Sequence, residues 1–202
     1  MYGLPQTTEI KKQLPKKAIF AKFDLKPSQR ESFDDAIARI DIVAVVSPST
    51  VPAVAQGENI KEFYVLAVQL KHKDYYAKNI ALLSRLIPQK MIMALHFQED
   101  VQFAINHTKL ITSKWQFLTP NSSFLTLQGL TLDSVWDNIV ISIGNIQVEK
   151  GKSVAEQISA DDQRAKILAQ IANLERKMAI EKQPRRKREY FEQIKKLKNQ
   201  IE

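Results

Sequence analysis

Two amphipathic patterns occupy the C-terminal quarter of the chain. The first has the alternating four- and three-residue apolar spacing of a coiled-coil seam, at Ile167, Ile171, Leu174 and Met178. The spacing restarts out of register at Tyr190, Ile194, Leu197 and Ile201. Pro184 lies between the two patterns, and proline interrupts a helix because it lacks a backbone N–H and clashes with the preceding turn. We therefore predict two antiparallel helices, a coiled-coil hairpin, rather than one long helix.

The preceding residues alternate between strand and helix patterns. Helical spacing after Pro27, with Ser28 as the N-cap, predicts a helix through Arg39. Residues 74–87 predict a helix that crosses a sheet, and residues 132–143 predict another that ends at Gly144. Apolar runs predict strands over residues 42–46, 63–70, 91–97, 101–106 and 111–117, with a hairpin turn at residues 98–100.

These elements predict the α/β (α+β) class, with a mixed β-sheet and flanking helices followed by the helical hairpin. We assign residues 1–17 to an irregular basic arm and residues 18–145 to a globular domain. Residues 146–153 are polar with a glycine and are assigned to a linker. Residues 154–202 then form the hairpin with a basic tip.

Composition removes several functional classes. The chain has no cysteine, and its three histidines, His72, His96 and His107, are scattered, so we expect no metal and no cofactor. None of the five glycines forms a phosphate-binding loop, which argues against nucleotide hydrolysis. No apolar run approaches the roughly 20 residues that cross a bilayer, and no secretory signal is evident. We therefore expect a cytoplasmic protein without a membrane partner.

The net charge of +8 is concentrated at the chain ends, and residues 151–202 contain 13 Lys/Arg against 8 Asp/Glu. Five of these cations surround the junction of the two helical patterns and are called the basic tip: Lys182, Arg185, Arg186, Lys187 and Arg188. Successive like charges at a turn repel one another, so an anionic partner would stabilise them. We predict that the basic tip contacts a nucleic-acid backbone or an acidic protein surface.

Three stretches carry a resemblance to a known family. They are residues 14–17 (LPKK), residues 65–71 (VLAVQLK) and residues 174–178 (LERKM), the last followed by EKQ at 181–183 and RK at 186–187. Their order and spacing resemble the bacterial and archaeal family called domain of unknown function 4391, over nearly the whole chain. Its members look like accessory proteins encoded near DNA methyltransferases and helicases of restriction-modification or phage-defence systems. The resemblance implies a DNA-linked role with such a methyltransferase or helicase as partner, and no activity can be carried over from the family.

A different interpretation starts from Gln69 and Lys71 at the end of a predicted buried strand, preceded by Glu58 and Glu62. Metal-dependent nucleases use acidic oxygens to hold Mg²⁺ and a nearby lysine to stabilise developing charge. The order of elements is similar to that of the restriction-endonuclease fold, some of whose members carry glutamine in place of the second acid. A lysine at a strand end can also simply reach solvent.

Three hypotheses remain open. We favour a non-enzymatic accessory or adaptor protein whose basic tip binds DNA non-specifically and in a salt-sensitive manner, or binds a partner protein. One alternative is a Mg²⁺-dependent nuclease with a Gln-x-Lys motif. The other is an oligomerisation or scaffold protein, because two short seams are marginally stable alone and could pair with another chain.

Overall fold

The computed structural model describes residues 1–85, 88–119 and 122–200 and has the mixed α+β class predicted from the sequence. The chain divides into two compact units, Met1–Gln147 and Val148–Glu202. The strands are β1 (Glu9–Gln13), β2 (Ile37–Val46), β3 (Phe63–Leu70), β4 (Lys90–Phe97), β5 (Asp100–Asn106), β6 (Leu110–Thr112) and β7 (Gln116–Phe117). The helices are α1 (Lys16–Lys22), α2 (Pro27–Ala36), α3 (Ala77–Leu83), α4 (Leu132–Gly144), α5 (Val154–Ile180) and α6 (Pro184–Lys198).

A mixed sheet organises the first unit, with the strand order β1-β2-β3-β4-β5-β6 and β7 paired with β5. β3 and β4 are parallel, and α3 lies between them in the chain as the predicted crossover helix. The other pairs are antiparallel, including the predicted β4–β5 hairpin. The strand predicted over residues 63–70 is confirmed by β3, whose continuous apolar run fits a central strand buried on both faces.

Each face of the sheet has its own packing partners. Along β3, Leu66 and Val68 point into a core that also contains side chains of α1, α2 and α3: Ile19, Phe33, Ile80 and Leu83. The alternate β3 residues point to the opposite face because successive side chains of a strand alternate. There Phe63 packs edge-on against Trp136 of α4, with ring centroids 5.5 Å apart.

The helix predicted to run through Arg39 ends earlier, at the last residue of α2. Pro27 takes the first helical position, where a missing N–H is harmless, so the predicted N-cap Ser28 lies inside the helix. β2 begins at Ile37 and includes Ile40, and both side chains are buried beside β3. Sheet pairing therefore overrides the helical spacing of these residues, and Arg39 lies in the sheet.

The irregular arm predicted for residues 1–17 is wrong at residues 9–13, which form β1. β1 pairs with β2 at the edge of the sheet, with Glu9 opposite Ala44 and Gln13 opposite Asp41. Four of its five side chains are exposed, so the apolar alternation that marks a half-buried strand is missing. Charged side chains such as Lys12 are typical of sheet edges, where they discourage pairing with other chains.

Two further elements differ from their predicted lengths. α3 covers only part of residues 74–87, and Ile87 lies outside the described residues, as do Pro120 and Asn121 of the polar segment before α4. The strand predicted over residues 111–117 is divided into β6 and β7, which both pair with β5. Ser113 interrupts it, because its hydroxyl accepts the N–H of Phe103 at 3.0 Å.

The second unit consists of a short polar start and two helices. Ser153 and Glu156 form a capping box at the beginning of α5, in which each side chain satisfies a backbone N–H of the other residue. α5 and α6 contact each other, and Lys198 Nζ of α6 lies 3.2 Å from Glu175 Oε1 of α5. The C-terminal part of the chain is therefore a helical region, as predicted.

Candidate nucleic-acid interface

The junction between α5 and α6 has a defined local structure. Three residues connect the helices, and the Glu181 carboxylate accepts the N–H groups of Lys182 at 2.9 Å and Gln183 at 3.0 Å through one oxygen, Oε1. Pro184 then occupies the first turn of α6, where its fixed backbone angle favours helix formation. These contacts orient the start of α6, whose first five residues include four of the five basic-tip residues.

All five side chains of the basic tip are exposed. Arg185 is 92% exposed, and its Nε lies 3.4 Å from Glu189 Oε1, one helical turn away. Such a solvent-exposed pair contributes little to stability. In the described part of the chain, the other four side chains of the tip form no ion pair. Their charges are therefore available to an external anion.

Two further features strengthen the positive potential at this place. Residues 176–198 contain ten lysines and arginines against three glutamates. The N-cap residue Gln183 makes no side-chain capping bond, so the first N–H groups of α6 lack a side-chain acceptor at the N-cap. The positive end of the α6 dipole thus adds to the charge of the arginine and lysine side chains.

The predicted seam residues lie on the least exposed sides of α5 and α6. Ile171 and Ile194 are each 5% exposed. Ile167, Leu174, Met178, Tyr190 and Leu197 are partly buried, and Ile201 lies outside the described residues.

A groove of about 410 Å³ runs along one side of the α5–α6 pair. Leu174 and Leu197 contribute its apolar part. The remaining lining side chains are Gln170, Asn173, Gln193 and Lys196, which carry a single charge among them. The pair therefore leaves some apolar surface outside its own interface.

Sequence reasoning missed an exposed aromatic residue in α6. Phe191 is 55% exposed, whereas its neighbour Tyr190 is partly buried. Lys187 and Arg188 precede Phe191 by four and three residues, and Lys195 follows it by four, so all three lie on the same face of the helix. The available signal was an aromatic residue interleaved with cations at helical spacing, but it becomes informative only once the buried side of α6 is known.

The structure does not bring together the four residues of the nuclease hypothesis. Glu62 immediately precedes β3 and accepts a hydrogen bond from the Tyr64 hydroxyl at 2.8 Å. Glu58 lies in the preceding loop, while Gln69 is near the opposite end of β3 and Lys71 follows that strand. Glu62 and Gln69 are separated by about 23 Å at the usual rise of a strand.

The surroundings of Gln69 also differ from a metal site. Arg39 lies opposite Gln69 in the sheet and donates two hydrogen bonds to Asp41, at 2.7 and 2.9 Å. The side-chain amide of Gln69 donates to the carbonyl oxygen of His96 at 3.4 Å. Across the described ranges, no group of three or more His, Asp or Glu side chains could hold a metal ion. The geometry around Gln69 therefore does not support Mg²⁺-dependent cleavage at this end of β3.

One cluster of titratable residues could not be found from the sequence, because its members come from separate elements. The pKa of Asp137 in α4 is raised, mainly by burial and to a smaller extent by the charge of the nearby Asp133. The pKa of His107 is lowered, mainly by burial and to a smaller extent by the charge of Lys90. Trp136 Nε1 and His107 Nδ1 are buried without a hydrogen-bond partner in the described structure. Buried polar atoms of this kind usually bind ordered water.

A protein-family model matches nearly the whole chain. The family model described as "Domain of unknown function (DUF4391)" matches residues 2–201. No curated protein and no solved structure matches the chain. Among the described helices, none is both long and apolar enough to span a membrane.

Proposed function

The chain belongs to the DUF4391 family, and we propose that it is a non-enzymatic accessory protein that contacts a nucleic-acid backbone through its basic tip. The observation that carries this proposal is the tip itself. Five exposed cations cluster at an ordered turn, and four of them have no ion-pair partner in the described structure. Glu181, the acid that immediately precedes the tip in sequence, is already engaged by backbone N–H groups.

Phosphate is the anion that best suits this arrangement. Arginine side chains can form two parallel hydrogen bonds to a phosphate group, and lysine adds a mobile point charge. Duplex DNA presents a negative charge about every 1.7 Å along its axis, so several tip residues can each meet a phosphate. Contacts of this type carry no base information, and we therefore expect sequence-independent binding that weakens with salt.

We also infer that α5 and α6 form an antiparallel coiled coil that holds the tip at its turn. The short link, the buried side chains of Ile171 and Ile194, and the ion pair between Lys198 and Glu175 support this arrangement. A two-helix support of this kind would project the basic tip away from the remainder of the pair.

The test compares binding of a labelled DNA duplex to wild-type protein and to a tip variant, R185A/R186A/K187A/R188A, by fluorescence anisotropy at low salt without divalent metal. We expect the affinity of the tip variant to fall about 100-fold, because counterion release from several phosphates is lost. Alanine has the highest helix propensity, so α6 should persist, which circular dichroism would verify.

A charge-matched control replaces four exposed lysines elsewhere with alanine: Lys17, Lys61, Lys78 and Lys150. This variant loses the same charge as the tip variant but retains the tip, so its affinity should change less than about threefold if binding is local rather than due to net charge. Equal losses in both variants would show that no specific interface exists, and unchanged binding in the tip variant would exclude the tip.

The proposal includes a partner protein, a DNA methyltransferase or helicase of a restriction-modification or phage-defence system, as the family resemblance implies. In that arrangement the tip would bind DNA beside the enzyme. The corresponding measurement is co-purification of candidate enzymes with the wild-type protein and the tip variant in the presence of nuclease. Retention of the enzyme by both proteins would place the partner contact outside the tip.

A second function, self-association through α5 and α6, is favoured by the groove lined by Leu174 and Leu197. A helix from a second copy of the chain would cover these leucines, and the neutral amides along the groove would tolerate a like-charged copy. Sedimentation at several protein concentrations would detect the dimer. A monomer at all concentrations would remove this proposal without affecting the first.

A further inference from the structure

The face of α6 that carries Phe191 combines an exposed aromatic ring with three cationic side chains. Lys187 and Arg188 lie one helical turn before Phe191, and Lys195 lies one turn after it. At a rise of 1.5 Å per residue, Lys187 and Lys195 lie about 6 Å from Phe191 along the helix axis, and Arg188 lies about 4.5 Å from it. Among the described residues, none of these three cations forms an ion pair.

We propose that this face binds single-stranded nucleic acid, with Phe191 stacking on an unpaired base while Lys187, Arg188 and Lys195 contact the flanking phosphates. The inference rests on the proposed function and extends it, because it names the nucleic-acid form that the surface selects. An unpaired base offers both a π-face for the ring and a phosphate on either side for the cations.

Among the described residues, Phe191 makes no ring–ring or cation–ring contact. It is 55% exposed, although Ile194, three residues further along α6, is 5% exposed. A phenylalanine side chain has no polar atom, so its interactions are limited to apolar packing, stacking and contacts between cations and its ring. Surrounding cations favour an anionic partner, and bases joined by phosphates supply both properties.

A double helix is a poorer partner for the ring, because its bases are already stacked on one another and must be displaced before an aromatic side chain can enter. A membrane surface also attracts basic amphipathic helices, but it requires a continuous apolar face. The remaining large apolar residues of α6, Tyr190, Ile194 and Leu197, are buried or partly buried. Phe191 therefore suits a single base better than a lipid layer.

The experiment measures the affinity of full-length wild-type protein and of F191A, F191W and L168A for a thymidine 20-mer and for a duplex of the same length. We expect F191A to bind the single strand about tenfold more weakly, the range typical for loss of one stacked base. Its affinity for the duplex should change less than twofold. F191W should retain single-strand binding because indole also stacks.

L168A is the matched control, because Leu168 is a 49% exposed apolar residue of α5 that lies outside the proposed face. It should bind both nucleic acids as the wild type does. Equal losses for both nucleic acids in F191A, or no loss for either, would overturn the stacking proposal.

The two proposals fail differently in this design. If the tip variant R185A/R186A/K187A/R188A binds the duplex as well as the wild type, the backbone contact is wrong. If the tip variant binds the duplex weakly but F191A shows no selective loss of affinity for the single strand, only the stacking contact is wrong. A further measurement uses vesicles of anionic phospholipid. If F191A abolishes binding to the vesicles but leaves the single-strand affinity unchanged, the surface binds a membrane and the stacking proposal is wrong.

Discussion

A single carboxylate anchors a loop to a helix in the first unit. Asp133 in the first turn of α4 accepts the N–H groups of Glu58, Asn59 and Ile60 at 2.9, 3.1 and 2.8 Å. Hydrogen bonds to a charged acceptor are stronger than neutral ones, so we predict that D133A lowers the free energy of unfolding by about 2 kcal/mol. Urea denaturation followed by circular dichroism would measure the loss.

The neighbouring Asp137 provides the control for this prediction. Its pKa is raised by burial and by the charge of Asp133, which means that folding disfavours its charged form. D137N should therefore leave stability unchanged or increase it slightly. A D133A protein as stable as D137N would show that the three hydrogen bonds do not hold the loop.

His96 should make stability depend on pH. Its Nε2 is hydrogen-bonded to the hydroxyl of Tyr2, and burial lowers the pKa of His96 while it raises the pKa of Tyr2. The phenol therefore keeps its proton, and the imidazole is neutral at pH 7. Below about pH 6.5 the unfolded histidine takes up a proton that the folded one resists, so the free energy of unfolding should fall from pH 7 to pH 5.

The measurement is urea denaturation of wild-type, H96Q and H72Q proteins at several pH values. H96Q should reduce the fall in stability, and a remainder should persist because burial also lowers the pKa of His107. H72Q replaces a 62% exposed histidine and shows the effect of removing a histidine from the surface. A pH dependence as steep in H96Q as in the wild type would contradict the assignment to His96.

At the scale of elements, the α5–α6 pair depends on a few buried side chains. Ile171 is 5% exposed and Leu168 on the same helix is 49% exposed. We predict that I171A destabilises the pair by about 3 kcal/mol, because it removes buried methyl groups and leaves a cavity. L168A should cost less than about 0.5 kcal/mol, as is usual at an exposed site.

Loss of helicity during urea denaturation would compare these two variants. If I171A and L168A denature together with the wild type, the packing of α5 on α6 contributes nothing to stability.

The elements that were predicted well are those whose own residues show a regular apolar pattern. β3 follows from one continuous apolar run, and α4 follows from regular apolar spacing before Gly144. Elements that depend on distant partners were missed or given wrong limits. β1 has no apolar alternation and exists because β2 offers an unpaired edge, and Ile37 joins β2 because β3 lies beside it.

At the scale of the whole molecule, the candidate interface was predicted only in part. The charge of the tip is visible in the sequence because its residues are nearly contiguous. Phe191 was missed, because an aromatic residue beside Tyr190 could equally face the partner helix until burial distinguishes the two. The cluster around His107 and Asp137 required the packing of α4 near the start of β4, which no local pattern encodes.

The distance between Glu62 and Gln69 in the folded molecule explains why the nuclease hypothesis gains no support. Gln69 and Glu62 are close in sequence, but the extended strand between them places them far apart. We predict that the wild-type protein leaves plasmid DNA intact in the presence of Mg²⁺ or Mn²⁺, as followed by gel electrophoresis. Cleavage that K71A abolishes would contradict this expectation and restore a catalytic role for the end of β3.

The central claim is that side chains of the basic tip directly neutralise phosphates. The most direct measurement is the slope of log Kobs against log salt concentration for duplex DNA, determined for the wild-type protein and for R185A/R186A/K187A/R188A. Each phosphate contact contributes about 0.9 to this slope, so removal of four cations should make it shallower by about 3 to 4. Equal slopes for the two proteins would contradict the claim and locate the nucleic-acid contact, if one exists, elsewhere in the chain.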